Sequence, residues 1–114
     1  MSTSLLRIEP SARPNQYHVI GEIDMSSSDA LSTFLRERAT ARQPVALDLS
    51  GVSFLDSTAI HTLIEGSKLF DGSLPIELVN LSPEVRRVLE IAAPHGLPML
   101  RIEGFAEPPS EPGG

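Results

Sequence analysis

The stretch Val45-Ala-Leu-Asp-Leu-Ser-Gly-Val-Ser-Phe-Leu-Asp-Ser-Thr-Ala-Ile-His-Thr-Leu-Ile64 changes its period in the middle. Val45–Leu49 is short and mostly apolar, as a central strand covered on both faces must be. Ser50–Gly51 interrupts it, Val52-Ser-Phe-Leu55 follows, and Asp56-Ser57-Thr58 supplies short polar side chains of the kind that begin helices. From there Ile60, Leu63, Ile64 and Phe70 recur at helical spacing until Asp71–Gly72. The stretch therefore reads strand, loop, amphipathic helix, the repeating unit of an α/β layer.

Working outward, the flanks continue the alternation. Leu5–Ile8 predicts a strand stopped by Pro10 and Pro14, and Tyr17–Ile23 predicts a second. The turn between them is short, so the two should pair antiparallel. Ser26, Ser27 and Ser28 each suit the cap of a helix whose face is Leu31, Phe34, Leu35 and Arg38. Downstream, Ile76–Val79 predicts a strand. Ser82-Pro83-Glu84 predicts a helix start, with Val85, Val88, Leu89 and Ala92 as its buried face and Pro94 and Gly96 as its stop. Met99–Ile102 predicts the last strand. The order is β-β-α-β-α-β-α-β without internal repeat, an α/β fold with a mixed, mainly parallel sheet and one antiparallel edge strand. Residues 1–104 form one domain. Residues 105–114, rich in Pro and Gly, offer nothing to pack and predict a disordered tail.

Composition narrows the function. Of the 114 residues 40% are apolar, enough for one core without staples, and the absence of cysteine excludes disulfides, thiol nucleophiles and Cys-ligated metals. Neither a basic-then-apolar leader nor an apolar run of about 20 residues occurs, so no membrane insertion is predicted and a cytoplasmic location is the expectation. The net charge is −6, with no basic stripe, four Phe, one Tyr and no Trp; this argues against nucleic acid and for a protein partner. His18, His61 and His95 have no metal-ligand spacing, so no metal is expected. Ser57 and His61 lack a Gly-x-Ser-x-Gly elbow and an evident third member, so a hydrolase is not indicated. Asp56 lacks the paired acids and the lysine of a phospho-receiver, and Gly51 and Gly66 belong to no phosphate-cradling loop. No cofactor and no catalytic residue are predicted.

In open α/β sheets function gathers where strand ends enter helices. Two segments qualify, Gly21–Ser26 and Asp56-Ser57-Thr58. A phosphate on a hydroxyl at a helix start meets free N–H groups and the positive end of the macrodipole, so its own helix tolerates it. Asp24, Asp48 and Asp56 are expected to make this neighbourhood acidic. With Ser57 as the cap, the plainest reading of Asp56-Ser57-Thr58 is an ordinary helix start.

The longer run Asp48-Leu-Ser-Gly-Val-Ser-Phe-Leu-Asp-Ser57-Thr58, followed by Ala59–Ile60 and preceded by Gly21-Glu-Ile-Asp24, resembles the STAS family. That family comprises the regulatory domains of sulfate transporters and the bacterial anti-sigma-factor antagonists. The resemblance spans roughly residues 5–103 and implies a STAS-like fold. It carries the antagonists' phosphorylation site onto Ser57 and their partner surface onto Asp24, Met25, Ser26, Asp56, Ser57, Thr58, Ile60 and His61. By the same resemblance, the unphosphorylated protein binds an anti-sigma factor and so releases its sigma factor. That partner has a histidine-kinase-like ATPase fold, binds ATP and Mg²⁺, and phosphorylates the serine. A PP2C-type phosphatase resets the switch, and the chain itself is a substrate and ligand, not an enzyme. The resemblance also admits a stand-alone subunit of a membrane transporter ATPase complex and a stressosome-like scaffold component. The chain departs from the family where Ala59 replaces a glycine and His61 a small residue, both expected to alter the surface around Ser57. The proline-rich end leaves the family's usual fourth helix absent.

Overall fold

The computed structural model describes residues 6–70, 76–92 and, by strand pairing, 100–102. The elements follow the expected order: β1 (Arg7–Pro10), β2 (Gln16–Ile23), α1 (Ser28–Thr40), β3 (Val45–Leu55), α2 (Ser57–Ser67), β4 (Ile76–Val79), α3 (Pro83–Ala92) and β5 (Leu100–Ile102). The Asp71–Gly72 and Pro94–Gly96 stops, His95, the tail and the fourth helix lie outside the described residues.

All five strands form one sheet in the order β1-β2-β3-β4-β5. β1 is antiparallel to β2, and every other pair is parallel. The parallel strands are added in sequence order, with α1, α2 and α3 between them in the chain, and all three helices share one core against the sheet. Alternate residues of the strands point into that core. Val19, Ile23, Val45, Leu47, Leu49, Ile76 and Leu78 meet Leu31 and Leu35 of α1, Leu63 of α2, and Val85 and Leu89 of α3 in one core. Phe70, expected on the helix, lies beyond its end yet still packs into this core. On α1, Phe34 stands edge-on to Tyr17 with centroids 4.9 Å apart, and Arg38 Nη1 donates to the Tyr17 hydroxyl at 3.3 Å.

Two boundaries differ instructively. β1 runs through Pro10, which pairs with Tyr17, because an edge strand has one row of N–H groups that needs no partner. β3 does not stop at Ser50–Gly51. It passes through as a single eleven-residue strand, with register shifts against β2 between His18 and Ile20 and between Gly21 and Glu22. A Gly beside a Ser reads as a turn in sequence, but within a long strand it accommodates a bulge.

The face of the sheet away from the helices carries a buried acid. Asp48 is 5% exposed. Its carboxylate accepts from the Ser50 N–H at 2.9 Å and from Asn80 Nδ2 at 3.0 Å, and lies 3.3 Å from His18 Nδ1. Asn80 reaches back because its backbone turns left-handed there (φ 57°), a conformation asparagine tolerates. Burial works to raise the Asp48 pKa, but these partners outweigh it and hold the carboxyl below its ordinary value. Asp48 therefore ties β2, β3 and the end of β4 together. It is not part of the acidic neighbourhood of Ser57, as its residue type and position had suggested. It lies level with His18, whereas Leu55 lies level with Ile23, five residues further along β2 and about 17 Å away at strand rise.

Two predictions follow from this packing. The Cβ of alanine at Gly66 would lie 2.5 Å from Leu35 Cδ1 and 3.3 Å from Leu35 Cβ, and Leu35 is wholly buried. Gly66→Ala should therefore lower stability by about 1–2 kcal/mol in urea unfolding, although alanine is the better helix former by about 1 kcal/mol. Unchanged stability would mean that α1 and α2 can move apart freely. Asp48→Asn should cost about 1–2 kcal/mol at pH 7. A carboxyl whose folded pKa is depressed contributes fully above its unfolded pKa and loses that contribution as pH falls through the folded value. The gap between wild type and variant should accordingly narrow as pH falls below about 4 and close once the depressed folded pKa is passed, and a gap unchanged down to the acid limit of folding would assign the loss to shape.

Candidate functional site

The carboxyl ends of β2 and β3 lie side by side. Ile23 is in register with Leu55, and the Asp56 N–H donates to the Ile23 carbonyl at 3.3 Å. The two expected segments, Asp24–Ser26 and Asp56–Thr58, are thus brought together as neighbouring loops on adjacent parallel strands. Gly21 enters this arrangement with φ 116°, a backbone that a side chain would strain, at the bulge opposite Val52.

The first loop is closed by its own polar groups. Asp24 Oδ1 accepts from the Ser26 N–H at 2.9 Å, the Ser26 hydroxyl at 2.8 Å and the Ser27 N–H at 3.2 Å. The buried Ser27 hydroxyl donates to the Glu22 carbonyl at 2.7 Å and accepts from the Asp24 N–H at 3.0 Å. Ser27 flanks α1 at its cap position without bonding the helix, because its hydroxyl is spent on this loop. The Ser26 hydroxyl is the main cause of a lowered Asp24 pKa; burial opposes it, and the N–H groups of Ser26 and Ser27 add to it. Asp24 is therefore an internal fastener of the loop as well as a surface charge. Met25, at the tip, is 76% exposed.

The second loop corrects the assignment of the cap. Asp56, in extended conformation, is the N-cap, and its Oδ1 accepts from the Ala59 N–H at 3.1 Å. Ser57 is the first helical residue and exposed, and its hydroxyl has no partner among the described residues. Thr58 is half-buried, and its carbonyl accepts from the Thr62 hydroxyl at 2.9 Å. His61 is exposed one turn beyond Ser57. Ile60 differs from the other expected contact residues: at 5% exposure it belongs to the core and supports the helix from within. Ala59 is likewise fully buried, so it does not alter the surface around Ser57 as its position in the first turn had suggested.

One exposed residue was not foreseen. Phe54 is 50% exposed at the end of β3. The second bulge turns both Ser53 and Phe54 outward before Leu55 returns to the core. A strict alternation count from Val45 shows that Val52 is out of phase, which is the one trace of the bulges in the sequence. Charge is equally uneven: Gln16–Leu35 and Gln43–Ser67 contain no Lys or Arg, while Glu22, Asp24 and Asp56 border the loops. Among the described residues there is no cluster of three or more His, Asp or Glu side chains able to hold a metal, and no helix long and apolar enough to cross a membrane.

This strand–loop–helix with an adjoining loop defines an open α/β module whose exposed polar side chains gather at the carboxyl ends of β2 and β3. The STAS domain profile matches residues 7–98, and the chain belongs to the STAS domain family. Among solved structures it is similar to an anti-sigma factor antagonist from Mycobacterium paratuberculosis, at 23% identity and TM-score 0.68 over 84% of this chain and 83% of that one. A STAS-domain anti-sigma-factor antagonist from Planctomyces limnophilus matches at 16% identity and TM-score 0.63, covering 89% and 90%. The antagonist SpoIIAA in its unphosphorylated form matches at 16% identity and TM-score 0.58, covering 75% and 82%. At these identities the likeness is one of fold. No curated protein sequence matches the chain.

The cap assignment is testable. Asp56→Ala should cost about 0.5–2 kcal/mol of stability, the usual loss for an N-cap. Ser57→Ala should stay within about 0.5 kcal/mol, as expected for an exposed side chain without a bond. Chemical denaturation of both variants decides the point, since the opposite ranking would return the cap to Ser57.

Proposed function

We propose that the chain is an anti-sigma-factor antagonist whose binding is switched off by phosphorylation of Ser57. The observation that carries this reading is the free, exposed hydroxyl of Ser57 on the first residue of α2, flanked by the Asp24–Ser26 loop. Membership of the STAS family and the fold shared with antagonists support it. In this reading the partner is an anti-sigma factor with an ATPase-type kinase fold, and a PP2C-type phosphatase restores the active form. Asp24, Met25, Ser26, Asp56, Thr58 and His61 surround the contact, and Phe54 adds an apolar surface at its edge.

A phosphate would add about −1.5 to −2 charges. Inward, it meets the positive end of α2, so the fold is retained. Outward, the partner would have to cover a charge for which Gln16–Leu35 and Gln43–Ser67 supply no Lys or Arg. An unpaired charge buried at an interface costs several kcal/mol, so the switch acts by exclusion and not by refolding.

Incubation with the anti-sigma kinase and Mg·ATP should add one phosphoryl group at Ser57, located by mass spectrometry. Calorimetry should then show binding weakened by roughly 100-fold or more, since about 2.7 kcal/mol is lost per hundredfold. Ser57→Ala should bind and resist modification. A major phosphate on Thr58 or Ser53, or equal binding by the modified protein, would remove the proposal.

A further inference from the structure

Ser57 and His61 are four residues apart on α2, and both are exposed. At this spacing the Cβ atoms of a helix lie about 5–6 Å apart. Helical side chains lean toward the N-terminus, so the imidazole is directed over the turn that carries Ser57. An acid placed four residues before a base is also the favoured order on a helix.

The surrounding charges make His61 conspicuous. From β2 and the start of α1 come Glu22, Asp24 and Asp29, and before α2 comes Asp56, its carboxylate held on the Ala59 N–H. One turn beyond His61, Glu65 is engaged by Lys68 Nζ at 3.2 Å. Lys68 itself is eleven residues past Ser57, about 16 Å along the axis. On α1, Arg36 Nη2 donates to its own helix's Ser32 hydroxyl at 3.5 Å, two turns past the start. Asp24–Ser28 and Asp56–Ser67 contain no Lys or Arg and His61 is the one base among them, while His18 lies against Asp48 on the far face and the arginines of the neighbouring α3, Arg86 and Arg87, belong to a separate helix.

We infer that His61 is the intramolecular counter-ion of a phosphate on Ser57, drawing it back along α2 and stabilising the switched-off state. This rests on the reading of Ser57 as the modified residue. It gives His61 a task in the free, phosphorylated protein that is separate from contact with a partner.

The test installs phosphoserine at position 57 during translation, so no kinase is needed, and follows the second ionisation of the phosphate by 31P NMR. A nearby cation favours the dianion, so the titration midpoint should be lower in the wild-type background than in His61→Gln, by roughly 0.2–0.4 pH. His61→Lys should bring the midpoint back down. Equal midpoints in wild type and His61→Gln would overturn the inference. So would a raised midpoint that lysine fails to restore, because His61 would then act through shape and not charge. Failure of a partner kinase to modify Ser57 would strike the functional reading alone and leave this pairing standing.

Discussion

The constraint on which the site depends is a mismatch in length between two paired strands. From His18 to Ile23, β2 advances five residues, while β3 advances seven from Asp48 to Leu55 across the same span. The two surplus residues are absorbed as bulges. Without the bulges Ser53 and not Leu55 would lie level with Ile23, and Asp56 would run past the Ile23 carbonyl. The bulges also change which residues turn inward: Val45, Leu47, Leu49, Val52 and Leu55 are buried, at spacings of two, two, three and three. The outward turn of Phe54 and the side-by-side placement of the two loops come from this one accommodation.

Below that surface, α2 keeps its buried support and its exposed polar groups on different residues. Ala59, Ile60 and Leu63 of α2 are buried, whereas Ser57 and His61 on the same helix are exposed. Asp56 closes the helix end with its own carboxylate, so Ser57 contributes nothing to the cap. Asp24 does not share this freedom, because its carboxylate binds the loop that it also decorates. Under the proposed function a charge change at Asp24 would alter contact and loop geometry together, and the two effects cannot be separated at that residue. At Ser57 they can.

Much of the fold was legible because its signals are local. The helical spacing of Leu31, Phe34 and Leu35, the run Ile76–Val79, and the Ser82 cap, whose hydroxyl accepts from the Val85 N–H at 3.2 Å, appear where the sequence puts them. What escaped was set by pairing between distant segments. Ser50–Gly51 has the composition of a turn, and only the register with β2 makes it part of a strand. Asp48 looked like a member of the acidic site because it shares a motif with Asp56, yet the motif is extended along a strand and its two ends serve different purposes. Asp56 and Ser57 are both good caps, and propensity alone cannot rank adjacent candidates. The choice falls to the backbone, which keeps Asp56 extended while it pairs with Ile23 and lets the helix begin one residue later.

That last detail bears on how a covalent charge is received. A residue at the cap position has its side chain committed to the free N–H groups of the first turn, and adding a phosphate there would break a bond that the helix uses. On the first helical residue the hydroxyl is uncommitted, while the same N–H groups and the macrodipole remain close enough to favour negative charge. Asp56 as cap therefore leaves the Ser57 hydroxyl uncommitted, so the proposed phosphate would be accepted without loss to the fold, and the Asp56–Ser57 order has a physical reason: the acid holds the helix so that the serine need not. Because α2 can accept the charge at little cost, the penalty for placing it there falls on whatever must approach from outside, which is the property a binding switch requires.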